Sequence, residues 1–215
     1  MKPSPYTDRY SPQQAEDYYR SGLWSSETFH DLLVKRVQAT PDKVFATDGT
    51  KSLTYRELFD AAQRLAVGLH RRGWRAGDTA AVQLPNWVEF IQVLAALSRL
   101  GVIAIPIMPI YRNEEVGYVL SNAGVRAVFT ASNFKKFSYL DMYLNLRRDQ
   151  ADLEIVVVRP DQLAADVAEA DDAVFTLEGL EVDTDEASAR EELPAPPGAD
   201  DPFVIVYTSG TTSRS

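Results

Sequence analysis

The sequence contains no cysteine. Disulfides, thiolate metal sites and catalytic thiols are therefore excluded, and the absence fits a reducing compartment, with the cytoplasm as the expected location. Histidine is almost as scarce. His30 and His70 are the only two, and neither has a second histidine or a carboxylate at ligand spacing, so no metal centre is expected from them. Basic residues are in deficit: 22 Lys and Arg stand against 31 Asp and Glu, a formal net charge of −9 that argues against a nucleic-acid partner. A small phosphate ligand remains compatible with that balance, because backbone amides and hydroxyls hold phosphate locally.

Long uninterrupted apolar runs are also missing. The most apolar stretch, residues 88–108, carries Glu89, Gln92 and Arg99 and is broken by Gly101 and Pro106. A buried helix followed by a buried strand is expected there, and no transmembrane segment. The opening MKPSPYTDRYSPQQ has neither an apolar core nor a small-residue cleavage pattern, which sets aside a secretory signal. With 45% hydrophobic and 25% charged residues the composition is that of an ordinary globular chain, and a compact fold of this size buries roughly 70% of its unfolded surface without metal or disulfide staples.

What is present is an alternation of short apolar runs and helical patterns. Residues 1–25, polar and aromatic with Pro3, Pro5, Pro12 and Gly22, are expected as an irregular N-terminal arm. An α/β subdomain is expected over 26–160. Ser26 lies just ahead of Phe29, Leu32, Leu33 and Val37 at helical spacing, a pattern stopped by Thr40 and Pro41. Short strands over 44–47 and 52–54 flank an Asp48-Gly49 turn. Thr54 with Glu57 forms a capping-box pattern for a helix to Arg72, closed by Gly73. Strands over 79–84, 102–108, 125–130 and 155–158 alternate with helices ending at Leu100, over 114–122 and over 139–148. Such repeats predict the α/β class, a mainly parallel sheet with flanking helices.

Residues 161–202 differ. They are acidic and alanine-rich and close with Pro194-Ala195-Pro196-Pro197-Gly198, so they are expected as a surface excursion and Pro-rich linker with one short strand over 174–177. A buried strand over 203–207 then leads into Thr208, Ser209, Gly210, Thr211, Thr212 and Ser213. Small hydroxyl-bearing residues after a strand offer N–H and O–H donors to one point, and Gly210 permits dihedrals that other residues avoid. This is what the phosphates of a nucleotide require, although no GxxxxGK[ST] pattern is present, and from these residues alone a Ser/Thr-rich terminal tail is the alternative reading.

The segment Asp201-Pro202-Phe203-Val204-Ile205-Val206-Tyr207 with the following TSGTT resembles the signature of the adenylate-forming superfamily, which includes acyl-CoA synthetases, luciferases and peptide-synthetase adenylation domains. Leu53-Thr54-Tyr55-Arg56-Glu57-Leu58 resembles the family's LTYxEL segment. Gly77-Asp78 with Leu84-Pro85-Asn86 and Glu89-Phe90 resembles its GDxVxxxLPNxxEF segment, and residues 101–116 the stretch after it, all in family order. Tyr19 to Trp24 and the PIxPIYRxxEV pattern of residues 106–116 are similar to the cyclohexanecarboxylate and aryl-acid CoA ligases.

The resemblance implies the N-terminal part of the large domain of an ATP-dependent acyl-CoA synthetase active in fatty-acid or related acid metabolism. ATP, Mg2+ and coenzyme A are then the implied cofactors and a carboxylic acid the substrate. Residues 208–213 are the implied ATP phosphate-binding loop, inside which the chain as given ends. The catalytic lysine, the Mg2+ ligand and the adenine and ribose contacts lie beyond this sequence in the family, so no catalytic residue falls within it and the fragment is expected to be inactive alone. Tyr111 and Arg112, just past a strand end, are candidate substrate-edge residues, because ligands of open α/β sheets gather there. Where the family loop continues with Gly, a variable residue, Pro and Lys, this chain has Ser213-Arg214-Ser215. That departure keeps a catalytically silent binding or scaffold domain as the alternative, beside a peptide-synthetase adenylation domain.

Overall fold

The computed structural model describes residues 10–208. The arm expected to be irregular contains a helix, α1 (Pro12–Arg20). Ser11 Oγ accepts from the Gln14 N–H, Gln14 Oε1 accepts from the Ser11 N–H, and Pro12 occupies the first helical turn, where its missing donor costs nothing. The helix buries no side chain of its own. Tyr10, Tyr18 and Tyr19 instead gather around Trp24, with ring centroids 5.0–5.6 Å from it. The next helix, α2 (Phe29–Ala39), is capped by Thr28 with Asp31 at the third position rather than by Ser26.

A two-stranded antiparallel hairpin, β1 (Val44–Thr47) and β2 (Ser52–Thr54), follows and delivers Thr54 as the cap of α3 (Tyr55–Arg71), with Glu57 closing the box. After β3 (Thr79–Gln83) comes α4 (Val88–Leu100), ended by Gly101 at φ 74°. A Cβ at Gly101 would sit 2.9 Å from that of Ala76, so both dihedral and space require glycine. The chain continues through β4 (Ile103–Pro106), α5 (Asn113–Ala123), β5 (Ala127–Ala131), the small hairpin β6 (Asn133–Phe134) and β7 (Phe137–Ser138), α6 (Tyr139–Leu146) and β8 (Glu154–Val158).

The acidic stretch expected as a surface excursion supplies α7 (Gln162–Ala170), β9 (Val174–Thr176), α8 (Leu177–Leu180) and α9 (Glu186–Glu192). Its sparse apolar residues fall at inward positions: Val174, Leu177, Leu180, Ala189 and Leu193 are all buried. Asp161, Thr176 and Asp185 cap the three helices. Part of the acidity answers a basic stripe on α3, since Glu186, Glu181 and Glu192 meet Arg56, Arg64 and Arg71. These pairs are partly exposed and screened by water, so they fix orientation more than stability.

The main sheet is parallel throughout, in the order β4-β3-β5-β8-β9. Ala81 stands level with Ile105 on one side and Val128 on the other. One core, holding Leu65, Trp74, Phe129 and Leu97, lies under α2, α3, α4, α8 and α9. The second, with Ile105, Leu120, Tyr143 and Ile155, lies under α5, α6 and α7. Burial on both faces explains why these strands read as continuous apolar runs.

Residues 203–207, expected as a buried strand, run instead along the open side of β4. A single parallel bridge pairs Ala104 with Val204, the Ala104 N–H donating to Phe203 O and the Ile205 N–H to Ala104 O, both at 2.9 Å. Among the described residues nothing covers the outer side, so Phe203, Val204 and Val206 stay exposed, Val206 at 67%. No helix among the described residues is long and apolar enough to cross a membrane.

Candidate functional site

All five strands of the sheet point one way, so β3, β4, β5 and β8 end at a common edge. The chain leaves β3 through α4 toward β4, and leaves β5 through α6 toward β8, on opposite sides of the β3–β5 pair. The direction of winding therefore reverses between two neighbouring strands, which opens a crevice beyond their C-terminal ends. The structure has a cleft of about 580 Å3 at that point. Residues 85–87 following β3, Pro109, Ile110 and Arg112 following β4, and Phe134, Lys135 and Tyr139 following β5 line it, with Asp48 reaching in from the β1–β2 turn.

The cleft is cationic and aromatic in a chain that is acidic overall. The Arg112 guanidinium lies 3.9 Å over the Phe137 ring and 5.6 Å from that of Tyr139. Its Nη1 donates to the carbonyls of Pro109 and Tyr111 at 2.7 and 2.8 Å. Lys135 and Lys136 form the two-residue turn of the β6–β7 hairpin at φ 47° and 64°. That left-handed geometry costs a non-glycine residue roughly 1 kcal/mol each. Among the described residues, Arg112, Lys135 and Lys136 form no ion pair.

Tyr111 and Arg112 part company at this edge. Arg112 lines the cleft, while the Tyr111 ring packs against the second core and its carbonyl accepts from Gln83 Nε2 at 3.2 Å. The same Nε2 donates to Met108 O at 3.0 Å, and Gln83 Oε1 accepts from Tyr143 Oη at 2.7 Å. Gln83 and Tyr143 are fully buried, and burial pushes the Tyr143 phenol well above its ordinary value. This polar pair anchors the 108–111 loop from beneath.

A second feature of the cleft wall was invisible in the sequence. Glu89 is buried in the first turn of α4 and accepts from Lys51 Nζ at 2.7 Å and from Arg159 through both Nε and Nη2. Arg159, just past β8, sits at φ 52°, also bonds Asp48, and lies 4.5 Å over the Trp87 ring. Asp48 accepts the N–H groups of Lys51 and Thr50, which hold its carboxyl far below the usual carboxylate range. The Asp48-Gly49 turn was legible locally, whereas its partner 111 residues away was not.

Of the predicted phosphate-loop residues, Thr208 is described and exposed; Ser209, Gly210, Thr211, Thr212 and Ser213 lie outside the described residues. Just before them, Tyr207 Oη donates to Asn122 Oδ1 at 2.6 Å and its ring meets that of Tyr118 edge-on. Among the described residues no group of three or more His, Asp or Glu could hold a metal ion.

A larger hollow of about 650 Å3 lies at the opposite edge, by Arg72, Arg126, Asp152, Glu154, Asp172 and Phe175. Its cations are committed, Arg126 to Asp78 and Glu154 and Arg72 to the face of Phe175. We therefore place the candidate site at the switch-point cleft.

Comparison with known proteins agrees in direction. The family described as AMP-binding enzyme matches residues 33–215. The 2,3-dihydroxybenzoate-AMP ligase of Bacillus subtilis is 34% identical over 144 residues, 67% of this chain and 27% of that protein. The medium-chain fatty-acid–CoA ligase of Escherichia coli is 28% identical over 94% of this chain and 34% of its own length. Mycobacterium smegmatis MbtA, solved without ligand, superposes with a TM-score of 0.75 at 25% identity, over 94% of this chain and 35% of that one. The chain thus spans about a third of the length of the relatives it matches.

Proposed function

The chain belongs to the AMP-binding enzyme family, and from that premise we propose that it is the N-terminal part of an ATP-dependent acid ligase that adenylates a carboxylic acid and passes the acyl group to coenzyme A. A carboxylate is a poor electrophile because its charge repels nucleophiles. Attack of one carboxylate oxygen on the α-phosphate of ATP, with pyrophosphate leaving, gives an acyl-adenylate; a thiol then takes the acyl group and AMP departs. Such transfers depend mainly on positioning and charge stabilisation. In this reading residues 208–213 hold the phosphates of ATP, and Mg2+, which would neutralise them, takes its ligands outside the described residues.

The observation that carries the reading beyond the family is the cleft at the strand reversal. Two cations that form no ion pair among the described residues, Arg112 and Lys135, line it, Arg112 over the rings of Phe137 and Tyr139 and Lys135 over that of Phe134. That combination suits a ligand bearing both phosphate and a planar ring, which coenzyme A is. Arg112 is proposed as a substrate-edge residue, with Tyr111 supporting it through its carbonyl. A cytoplasmic location goes with this reading.

The test is acid-dependent exchange of pyrophosphate into ATP by the full-length polypeptide containing this segment, followed by thiol transfer. Exchange with at least one aliphatic or aryl acid and acyl transfer to coenzyme A are expected, while residues 1–215 alone should turn over nothing. The Ser213-Arg214-Ser215 departure favours a second reading, a silent binding domain. Complete absence of exchange across the acid panel would establish that reading; transfer only to a carrier-protein thiol would move the assignment to an adenylation domain.

A further inference from the structure

We propose that Asn122, with Tyr118 beside it on α5, is a positioning residue for the phosphate loop, acting by fixing the Tyr207 side chain from which that loop departs. The inference rests on reading residues 208–213 as that loop. The segment leading to it is tied to the body at successive points. Arg99 Nη1 donates to Pro194 O at 2.7 Å, Tyr19 Oη donates to Asp200 Oδ1 at 2.7 Å, and Phe203 stacks on Phe29 with centroids 5.8 Å apart. Ala104 then pairs with Phe203 and Ile205 through its N–H and C=O.

The next contact with the body is of a different kind. Val206 is 67% exposed, and Tyr207 reaches α5 through its side chain: Oη donates to Asn122 Oδ1 at 2.6 Å while the ring stands edge-on to Tyr118, centroids 6.2 Å apart at 88°. A hydroxyl bond and a ring contact on one residue fix both the position and the rotation of that side chain. The backbone at Thr208 inherits the orientation. The same helix carries Arg112 as its N-cap residue, ten residues before Asn122 and so about 15 Å away along the axis. One rigid body thus sets both the cleft cation and the start of the loop.

Asn122→Ala and Tyr207→Phe, singly and together, in the full-length ligase test this. Each single variant should lower kcat/KM for ATP in adenylate formation about fivefold, the worth of one ordinary hydrogen bond. The double variant should be no worse than either single one, because both remove the same contact. Thiol transfer from chemically supplied acyl-adenylate should stay at the parent rate, which general destabilisation would not permit. The Tyr207 ring should flip faster in Asn122→Ala, as read from its aromatic NMR resonances, whether or not the protein turns over, so failure of the ligase reading and failure of the positioning role give different results. Additive losses, equal losses in both half-reactions, or an unchanged Tyr207 ring-flip rate would each overturn the proposal.

Discussion

Arg159 lays its guanidinium along both carboxylate oxygens of Glu89, Nε 3.0 Å from Oε1 and Nη2 2.8 Å from Oε2. The pair joins the first turn of α4 to the end of β8, and Glu89 is only 3% exposed. Burial pushes the Glu89 carboxyl up, but the hydrogen bonds from Arg159 and Lys51 outweigh it, so it titrates below the ordinary 4.5. A folded value below the unfolded one gives stabilisation that is complete above the unfolded value and is lost as pH falls through the folded one. Glu89→Gln is expected to cost about 2–3 kcal/mol at pH 7, less than for a fully dry pair because Lys51 is half exposed. Its deficit should shrink as the pH is lowered below 4. Urea melts of parent and variant at pH 7 and pH 3 check this, and equal stability at pH 7 would refute it.

His30 titrates in a different window. Burial first, and then the neighbouring Arg99 charge, lower its pKa from 6.5 to about 4. The unfolded chain takes up a proton near 6.5 that the fold refuses until about 4, so this stabilisation is full above 6.5 and disappears across that window. The total is at most about 3 kcal/mol. His30→Phe should flatten the fall in stability between pH 7 and pH 4.5. Arg99→Met should raise the His30 pKa, as read from NMR titration of its ring protons. A parent His30 titrating at its ordinary value would contradict the burial argument.

How far the sequence revealed the fold follows from the range of each determinant. The Thr54–Glu57 capping box and the left-handed Gly73 and Gly101 are local signals, and α3 and α4 lie where those signals put them. The cap of α1 is just as local, but three prolines in a polar opening outweighed Ser11 and Gln14. Residues 161–202 misled because composition averages over faces: Leu177 and Leu180 are few among many acids, yet both reach the core, and Glu181 and Glu192 are matched to arginines 117 and 121 residues earlier. At the candidate site, Arg112 was legible from its place after a strand. Lys135 and the Glu89–Arg159 pair were not, since they come to the cleft through strand order, which periodicity does not encode.

Thr130 is fully buried in β5, and its Oγ1 has no hydrogen-bond partner among the described residues. A buried hydroxyl without a partner has lost water and gained nothing, whereas valine has nearly the same shape and no such debt. Thr130→Val is therefore expected to stabilise the protein by about 1 kcal/mol. A thermal melt reads this directly. A lower melting temperature would mean that the hydroxyl has a partner the described residues do not provide.

Arg112 offers the sharpest separation between binding and chemistry. Its Nη1 is spent on two carbonyls and its plane rests on Phe137, so the guanidinium is held at a fixed angle, and among the described residues Nε and Nη2 make no hydrogen bond. Removing the side chain leaves the start of α5 intact, because the cap there uses the Arg112 backbone N–H donating to Glu115 Oε2 at 3.1 Å. Under the proposed ligase function, Arg112→Ala in the full-length polypeptide should raise KM for coenzyme A about tenfold, the loss of one charge-assisted hydrogen bond. Acid-dependent pyrophosphate exchange should change less than about twofold, as that half-reaction precedes thiol binding. Arg112→Lys should restore little, since an ammonium neither stacks on Phe137 nor spans two acceptors and a ligand at once. Parallel losses in both half-reactions would assign Arg112 to the adenylation step, and an unchanged KM for coenzyme A would remove it from the acceptor's path.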